Sequence, residues 1–333
     1  MSDSNIQRAL QQVLQKKDAL SFSEYLDIAL YHSQYGYYMR KDQEVFGANG
    51  DFVTAPHMSP VLGVAISRWL ASQSAKEVLE IAPGDGRLAQ QILAENPDIE
   101  VYYLLDINPL PSQKNIGAEV DKVRWITEVP HEFPGAIIAN EWLDALPFRR
   151  FCWDQSYGVR EIILALGNNK PRLSLSSEET QHVGALNIAK KHAKNWSSPY
   201  VFEQGFSYQQ VLKFLQHTTG PVLLIDYGYE CNEYYHSDRS MGTMICFQKH
   251  QTVEFSVAQS GCMDITSAVN WTEVMSEAER HAYKVDHFGP QADFLRFFAQ
   301  DRLLSSESLG AKQLYQPHEM GQYIKVLSIN PVK

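Results

Sequence analysis

Covalent and metal frameworks find little to work with in this chain. Its 333 residues include four cysteines, Cys152, Cys231, Cys246 and Cys262. They are scattered without a C-x-x-C pair, so neither a disulfide scaffold nor a cysteine-ligated zinc site fits their spacing. The eleven histidines show no H-x-x-x-H type spacing, and no metal is expected. No apolar run approaches the roughly 18 residues of a membrane-spanning helix. The opening MSDSNIQRAL has neither the apolar core of a signal peptide nor the Arg-rich character of a transit segment. The expectation is a reduced, cytoplasmic protein without membrane insertion. Acids outnumber bases, 39 to 29, for a formal charge of −10 with no Lys/Arg-rich run. That balance disfavours a nucleic-acid partner. Internal repeats and low-complexity segments are also missing.

An apolar fraction of 44% is enough for a sizeable core, and the apolar residues fall into alternating strand and helix patterns. Ile6, Leu10, Val13 and Leu14 recur at helical spacing, and Ser21-Phe22-Ser23-Glu24 can form a capping box before a second helix. The loop FGANGDFVTAPHMS follows, long and rich in turn residues. EVLEIA (77–82), VYYLLDI (101–107), GAIIANE (135–141) and PVLLIDYG (221–228) read as strands, with RLAQQILAEN (87–96) as a helix. Short, near-continuous apolar strands are those of a parallel sheet covered on both faces, so the fold class is α/β with a doubly wound sheet. FRRFCWD, VREIILAL and PRLSLS read instead as antiparallel hairpins, followed by helices near 178–195 and 207–217. GTMICFQKH (242–250) and QYIKVLSIN (322–330) read as late strands completing the sheet. The expected divisions are an N-terminal helical and loop segment (1–75), a first part of the core (76–150), an inserted subdomain (151–219) and the rest of the core (220–333).

The stretch Glu80-Ile-Ala-Pro-Gly-Asp-Gly-Arg-Leu-Ala89 has the G-x-G-x-x-A spacing of a nucleotide-binding loop. Tight strand-to-helix turns use glycine in the same way without a ligand, so context has to decide. Asp106 ends the next strand 20 residues after Gly86, where an acid can accept both ribose hydroxyls. A dinucleotide would bring two anionic phosphates to the helix N-terminus, whereas S-adenosylmethionine brings a sulfonium and an ammonium. Glu80 and Asp85 repel the first and suit the second; Arg87 pulls mildly the other way. A carboxylate inside an apolar strand, as at Glu80, is costly unless it faces a polar site.

Asn140-Glu141-Trp-Leu-Asp144-Ala-Leu-Pro147 leaves another strand at the same carboxyl edge. If the segment turns helically, Glu141 and Asp144 share a face. Asn140, Glu141 and Asp144 are the candidate catalytic groups, because methyl transfer needs residues that align a nucleophile and take its proton. The blander reading makes Asp144 a turn cap and Glu141 a solvated loop residue. Three weaker candidates remain: Asp226-Tyr227-Gly228 at a strand end, which reads equally as a turn with a packed tyrosine, the loop Arg239-Ser-Met-Gly-Thr243, which could anchor a carboxylate or phosphate or be an ordinary ordered loop, and the insertion's Glu203, a distant second carboxylate for a guanidinium. Tyr35, Tyr37 and Tyr38 read as packing.

Taken together, GDFVTAP, EIAPGDGRL, LLDINP, ANEWLDALPFRRF, LLIDYGY, RSMGTMICFQKH and DITSAVNW resemble the MidA family in order and spacing, from about residue 20 to the carboxyl terminus. That family includes a mitochondrial complex I assembly factor that is a protein arginine methyltransferase. The resemblance implies a class I, Rossmann-like methyltransferase fold with seven strands, the last pair antiparallel, and S-adenosyl-L-methionine as cofactor. It implies that Glu80, Gly84 and Gly86 line the methionine half and that Asp106 takes the ribose. Asn140 and Glu141 would sit beside the methyl group, and Gly50, Asp51, Phe52 and Thr54 would fold over the cofactor. Asp264-Ile265-Thr266 would serve the acceptor side. Three positions depart from the pattern. Ala82 replaces a common glycine, His57 stands where an acid usually follows the proline, and Asn270 replaces another acid. The last two remove negative charge from the region expected to receive a cationic side chain. The implied partner is a protein substrate; the oligomeric state stays open, a homodimer included. Two other readings remain: an assembly factor that binds cofactor and client with little or no catalysis, and an NAD-linked oxidoreductase.

Overall fold

A computed structural model describes residues 3–40, 54–108, 121–205, 208, 212–249, 251–305, 308–316 and 318–332. Gly50, Asp51 and Phe52 lie outside the described residues. The chain divides into two compact units.

The first unit comprises Met1–Glu44, Asp144–Gln210 and Tyr229–Thr272. Its helices are α1 (Asp3–Leu14) and α2 (Phe22–Tyr31), separated by strand β1 (Ala19–Ser21). Ser21 and Glu24 form the expected capping box: the Ser21 hydroxyl accepts the Glu24 N–H at 3.3 Å and the Glu24 carboxylate accepts the Ser21 N–H at 2.8 Å. The hairpin segments become β6 (Arg149–Asp154), β7 (Gly158–Gly167) and β8 (Lys170–Leu175), all antiparallel, with β9 (Tyr200–Gln204) beside β6 and β1 beside β7. Helix α6 is Val183–His192, and Leu212–His217, in the second unit, is a 3-10 turn where a helix is expected. The stretch 242–250 does not join the main sheet. Ile245–Gln248 (β11) pairs with β12 (Gln251–Val253) and β13 (Asp264–Thr266) in a small sheet of its own. The short elements α7 (Cys231–Tyr234) and β14 (Val269–Asn270) complete this unit.

A buried ion pair stands in this first unit. Arg150 Nε donates to Glu203 Oε1 at 2.9 Å, and Glu203, fully buried, also accepts the Thr243 N–H at 2.6 Å. Gly242 (φ +79°) leaves room for that carboxylate, since a Cβ there would collide with both its oxygens. The Arg239–Thr243 loop therefore does anchor a carboxylate, and the carboxylate is the chain's own.

The second unit comprises Val45–Leu143, Val211–Gly228 and Glu273–Lys333. Strands β2 (Glu77–Ile81), β3 (Val101–Leu105), β4 (Val123–Ile126), β5 (Ala136–Asn140) and β10 (Val222–Tyr229) are mutually parallel. Beyond β10, strand β16 (Ile324–Pro331) is antiparallel to it, and β15 (Tyr283–Pro290) is antiparallel to β16, giving the path β15-β16-β10-β5-β2-β3-β4. The seven strands of this path and the antiparallel β16 agree with expectation; the two-residue β14, which pairs with β10 off the path, makes an eighth strand. Strand β15 replaces 242–250 as the other late strand. Its Lys284, Val285 and Asp286 are exposed, which hides the apolar pattern a buried strand would display. Helices α3 (Ala55–Met58), α4 (Val61–Ser72), α5 (Arg87–Glu95), α8 (Trp271–Arg280, mostly in this unit), α9 (Gln291–Ser305), α10 (Leu309–Tyr315) and α11 (Met320–Tyr323) accompany the sheet. Leu62, Ile66 and Trp69 of α4 and Leu88 and Ile92 of α5 pack with sheet residues Val78, Tyr102 and Ile138 in one core.

Glu203→Ala leaves Arg150 charged and buried without its partner, and losses of this kind cost about 3–5 kcal/mol. A fall in the urea unfolding midpoint of corresponding size is expected; an unchanged midpoint would show that the pair carries no structural weight.

Candidate active site

Parallel pairing sets the strand ends level. Ile81 lies beside Leu105 and Ala139, and Asn140 beside Ile225. The order reverses between β2 and β5, with β3 on one side and β10 on the other. That is the switch point at whose carboxyl edge ligands bind in open α/β sheets.

Four elements meet at that edge. The first is the turn after β2, where Ala82, Gly84 and Gly86 have φ of +53°, +57° and +79°. Three left-handed residues in five let the chain reverse into α5 within one short loop. The second is Asp106 after β3. Burial pushes its carboxyl up to about 6, although the N–H groups of Asn108, Gly84 and Ile107 donate to it. The glycine loop is thereby braced from Asp106. The third is Asn140-Glu141 after β5, where the Glu141 N–H donates to Ile225 O at 2.8 Å. The fourth is Asp226 near the end of β10, wholly buried, whose Oδ2 accepts the Leu143 N–H at 2.8 Å. It holds the turn that leaves Glu141.

Two glutamates here are poor as anions. Glu80 is 2% exposed within β2, and burial raises its carboxyl to about 7 despite the hydroxyl of Tyr102, which donates to Oε2 at 2.7 Å. Burial also raises Glu141 to about 7, opposed by the Asn140 amide and by the N–H of Ala55 at the start of α3. Asn140 Nδ2 donates to Glu141 Oε1 at 3.3 Å. Its own Oδ1 is buried with no hydrogen-bond partner among the described residues. A buried acceptor without a donor, beside the Glu141 carboxyl, which has no lysine or arginine as a hydrogen-bond partner among the described residues, suits a cationic ligand bearing N–H groups. The donor set therefore fits S-adenosylmethionine better than a pyrophosphate.

Several expectations are revised by this geometry. Residues 141–144 do not turn helically: Glu141 has φ +50°, so the shared helical face of Glu141 and Asp144 does not exist. Asp144 belongs to the first unit, where its carbonyl accepts the Ser267 N–H. His57 faces the glycine loop, its Nε2 3.0 Å from Asp85 Oδ2 and its Nδ1 2.9 Å from Thr54 Oγ1. Asp85 is therefore not a bare anion. Burial pushes its carboxyl up, but His57 and Arg87 outweigh that and hold it below the usual range. The preference for a cationic ligand rests on Glu80 and the Asn140–Glu141 pair more than on Asp85. In the first unit, Asp264 accepts the Tyr38 hydroxyl at 2.6 Å, and Glu203 is bound to Arg150. Asp226, a weaker strand-end candidate in the sequence, does reach this edge, as a brace for the Leu143 N–H, whereas Tyr102 and the Ala55 N–H are not legible as contributors, because each acts on a residue distant in sequence and carries no motif.

Together these features define a nucleoside-binding α/β protein of the methyltransferase type. A family model of S-adenosyl-L-methionine-dependent methyltransferases matches residues 61–291, and the chain belongs to that family. It is 24% identical to the zebrafish (Danio rerio) protein arginine methyltransferase NDUFAF7, mitochondrial, over 98% of this chain and 88% of that protein. The human protein of the same name is 23% identical over 94% and 79%. A crystal structure of a COG1565 superfamily member from Burkholderia thailandensis, bound to S-adenosyl-homocysteine, superimposes with a TM-score of 0.90 at 24% identity, covering 99% of this chain and 92% of that one. The resemblance to the MidA family and the class I fold are thus supported, the protein is an S-adenosylmethionine-dependent methyltransferase, and S-adenosyl-L-methionine is its cofactor. No helix among the described residues is long and apolar enough to cross a membrane.

Groups raised by burial hold protons that the unfolded chain releases, so Glu80 and Glu141 weaken the cofactor-free fold as pH rises from 4.5 to about 7. A bound cation favours their ionised forms. Titration calorimetry near pH 6.5 in buffers of different ionisation heat should show proton release on S-adenosylmethionine binding, smaller with S-adenosylhomocysteine, which lacks the sulfonium. Net proton uptake would contradict it. Separately, Ala82→Gly relieves a left-handed alanine and should raise stability by about 1 kcal/mol in urea melts; a loss would mean the Ala82 methyl group packs productively.

Proposed function

We propose that this enzyme methylates a side-chain nitrogen of a protein, arginine first, by direct in-line transfer at the Asn140–Glu141 edge. The observation that carries the reading is the placement of a carboxyl raised to about 7 beside a buried amide oxygen without a partner, next to the glycine loop. The bound cofactor supplies an electrophilic methyl group on a sulfonium. In this reading Glu80, Gly84 and Gly86 hold its methionine half, Asp106 takes the ribose, and Thr54 contacts it; Gly50, Asp51 and Phe52, outside the described residues, are the remaining candidate contacts. Asn140 Oδ1 accepts from an N–H group, and Glu141 aligns the acceptor nitrogen and takes its proton. A carboxyl that titrates near neutrality is matched to that task, since the ideal base has a pKa close to the working pH. A guanidinium is planar and protonated, so a carboxylate both orients it and relieves its charge. Asp144 is retained as a third, outlying candidate for the acceptor. The relatives' name, protein arginine methyltransferase, supports this choice of acceptor.

A client-binding module with little or no catalysis is the second reading, favoured by one observation: Asp264 and Glu203 are committed to Tyr38 and Arg150 and do not await a cation. As to location, the four scattered cysteines suit a reducing compartment. We read that compartment as the cytoplasm, whereas the relatives are named mitochondrial.

Incubation with labelled S-adenosylmethionine and a lysate lacking the endogenous protein, followed by mass spectrometry, should place label on an arginine side chain. Label on another residue type redirects the acceptor; no label favours the binding module. On the identified substrate, Glu141→Gln should lower turnover about 10²–10⁴-fold while S-adenosylmethionine still binds. Full turnover would remove Glu141 from the chemistry.

A further inference from the structure

The glycine loop needs holding. With Ala82, Gly84 and Gly86 all at positive φ, its shape is one that an unsupported segment has little reason to keep. One brace is Asp106, which accepts the Gly84 N–H. The other comes from α3. His57 Nε2 stands 3.0 Å from Asp85 Oδ2, between the two glycines, and Asp85 Oδ1 accepts the Arg87 N–H at 3.2 Å. Thr54 Oγ1, 2.9 Å from His57 Nδ1, fixes the imidazole from behind. The contact is sheltered, the His57 and Asp85 side chains being 9% and 17% exposed.

Helix α3 is itself firmly placed. The Ala55 N–H donates to Glu141, and Pro56 O accepts Gln91 Nε2 from α5 at 2.7 Å. Gly310 of α10 packs so closely on Met58 O that a Cβ there would collide with it. Four residues thus tie the strand end that bears Glu141 to the loop that bears Asp85.

We propose that His57 is a positioning residue for the cofactor: by bonding Asp85 it fixes the glycine loop in its binding shape, setting affinity for S-adenosylmethionine and not the rate of methyl transfer. The proposal rests on the assignment of the glycine loop to the cofactor. It also accounts for the departure at position 57. An acid there would set its carboxylate against that of Asp85 in a sheltered site, where like charges oppose each other strongly. Histidine at 57 and aspartate at 85 are therefore a matched pair, and the change belongs to the cofactor side of the site.

The test compares cofactor affinity by titration calorimetry for the unaltered protein, H57Q, H57N, H57E and H57E/D85N, with circular dichroism and thermal melts as fold controls. Glutamine can present a donor where Nε2 stands, and asparagine only where Nδ1 stands. H57Q should therefore bind within about threefold of the unaltered protein, and H57N about 10–100-fold more weakly, the loss expected for a charge-assisted hydrogen bond. H57E should be weaker still, and removing the opposing charge in H57E/D85N should restore most of the affinity. In the labelled-lysate assay at saturating cofactor, turnover of the H57Q and H57N proteins should differ by no more than about threefold, since the loss is in binding. Equal affinity of H57N and H57Q, a loss in saturated turnover instead of affinity, or no recovery in H57E/D85N would each overturn the proposal. If H57E does not fold, the glutamine and asparagine pair decides. An unaltered protein that fails to bind S-adenosylmethionine would instead overturn the cofactor assignment on which the proposal rests.

Discussion

Keeping three carboxyl groups at one sheet edge out of bulk water is the constraint on which the second unit depends. Glu80, Asp106 and Glu141 all sit where burial disfavours their charge, and among the described residues none is hydrogen-bonded to a lysine or arginine. Each is managed by neutral donors: the Tyr102 hydroxyl for Glu80, backbone N–H groups for Asp106, the Asn140 amide and the Ala55 N–H for Glu141. Neutral donors lower the cost of an anion without cancelling its field. The edge therefore stays electrostatically receptive to a cation, which a salt-bridged edge would not.

The first unit treats charge in the opposite way. Arg150 and Glu203 neutralise each other in its interior, and Arg149 Nε donates to Glu161 Oε1 at 2.8 Å. Such pairs fix the geometry of β6 against its neighbours β7 and β9. They offer no unused charge to a ligand, and a buried pair is costly to break. The same residue types thus serve structure in one unit and, in the function proposed, ligand recognition in the other, and the deciding variable is whether the countercharge is supplied from within the chain.

That variable is what sequence reading could not see. The parallel strands β2, β3, β5 and β10 were legible because strands buried on both faces read as unbroken apolar runs, and the hairpins β6–β8 because their turns carry QSYG and GNNK. Strand β15 was not, because three successive exposed residues interrupt its pattern. Glu80, Asp106 and Asn140-Glu141 were legible as strand-end polar groups, and their meeting at one edge follows from parallel pairing. Glu203 and Asp264 carry the same chemical signature in sequence, yet their partners, Arg150 and Tyr38, lie 53 and 226 residues away.

Positive φ at strand ends gives the last link between sequence and chemistry. Ala82 and Glu141 both adopt left-handed backbone, a region where a side chain adds roughly 1–2 kcal/mol. At Ala82 a glycine would avoid that cost, and the resemblance indeed points to glycine there. At Glu141 it could not without removing the carboxyl to which the proposed function assigns the acceptor nitrogen. The left-handed turn points the chain out of β5 abruptly enough for Asp226 to capture the Leu143 N–H and for Ile225 O to accept the Glu141 N–H. Backbone strain at a functional side chain persists only where the surroundings over-determine it. Two hydrogen bonds to β10 and a third from α3 supply that determination, so Glu141 is held where a flexible loop could not keep it.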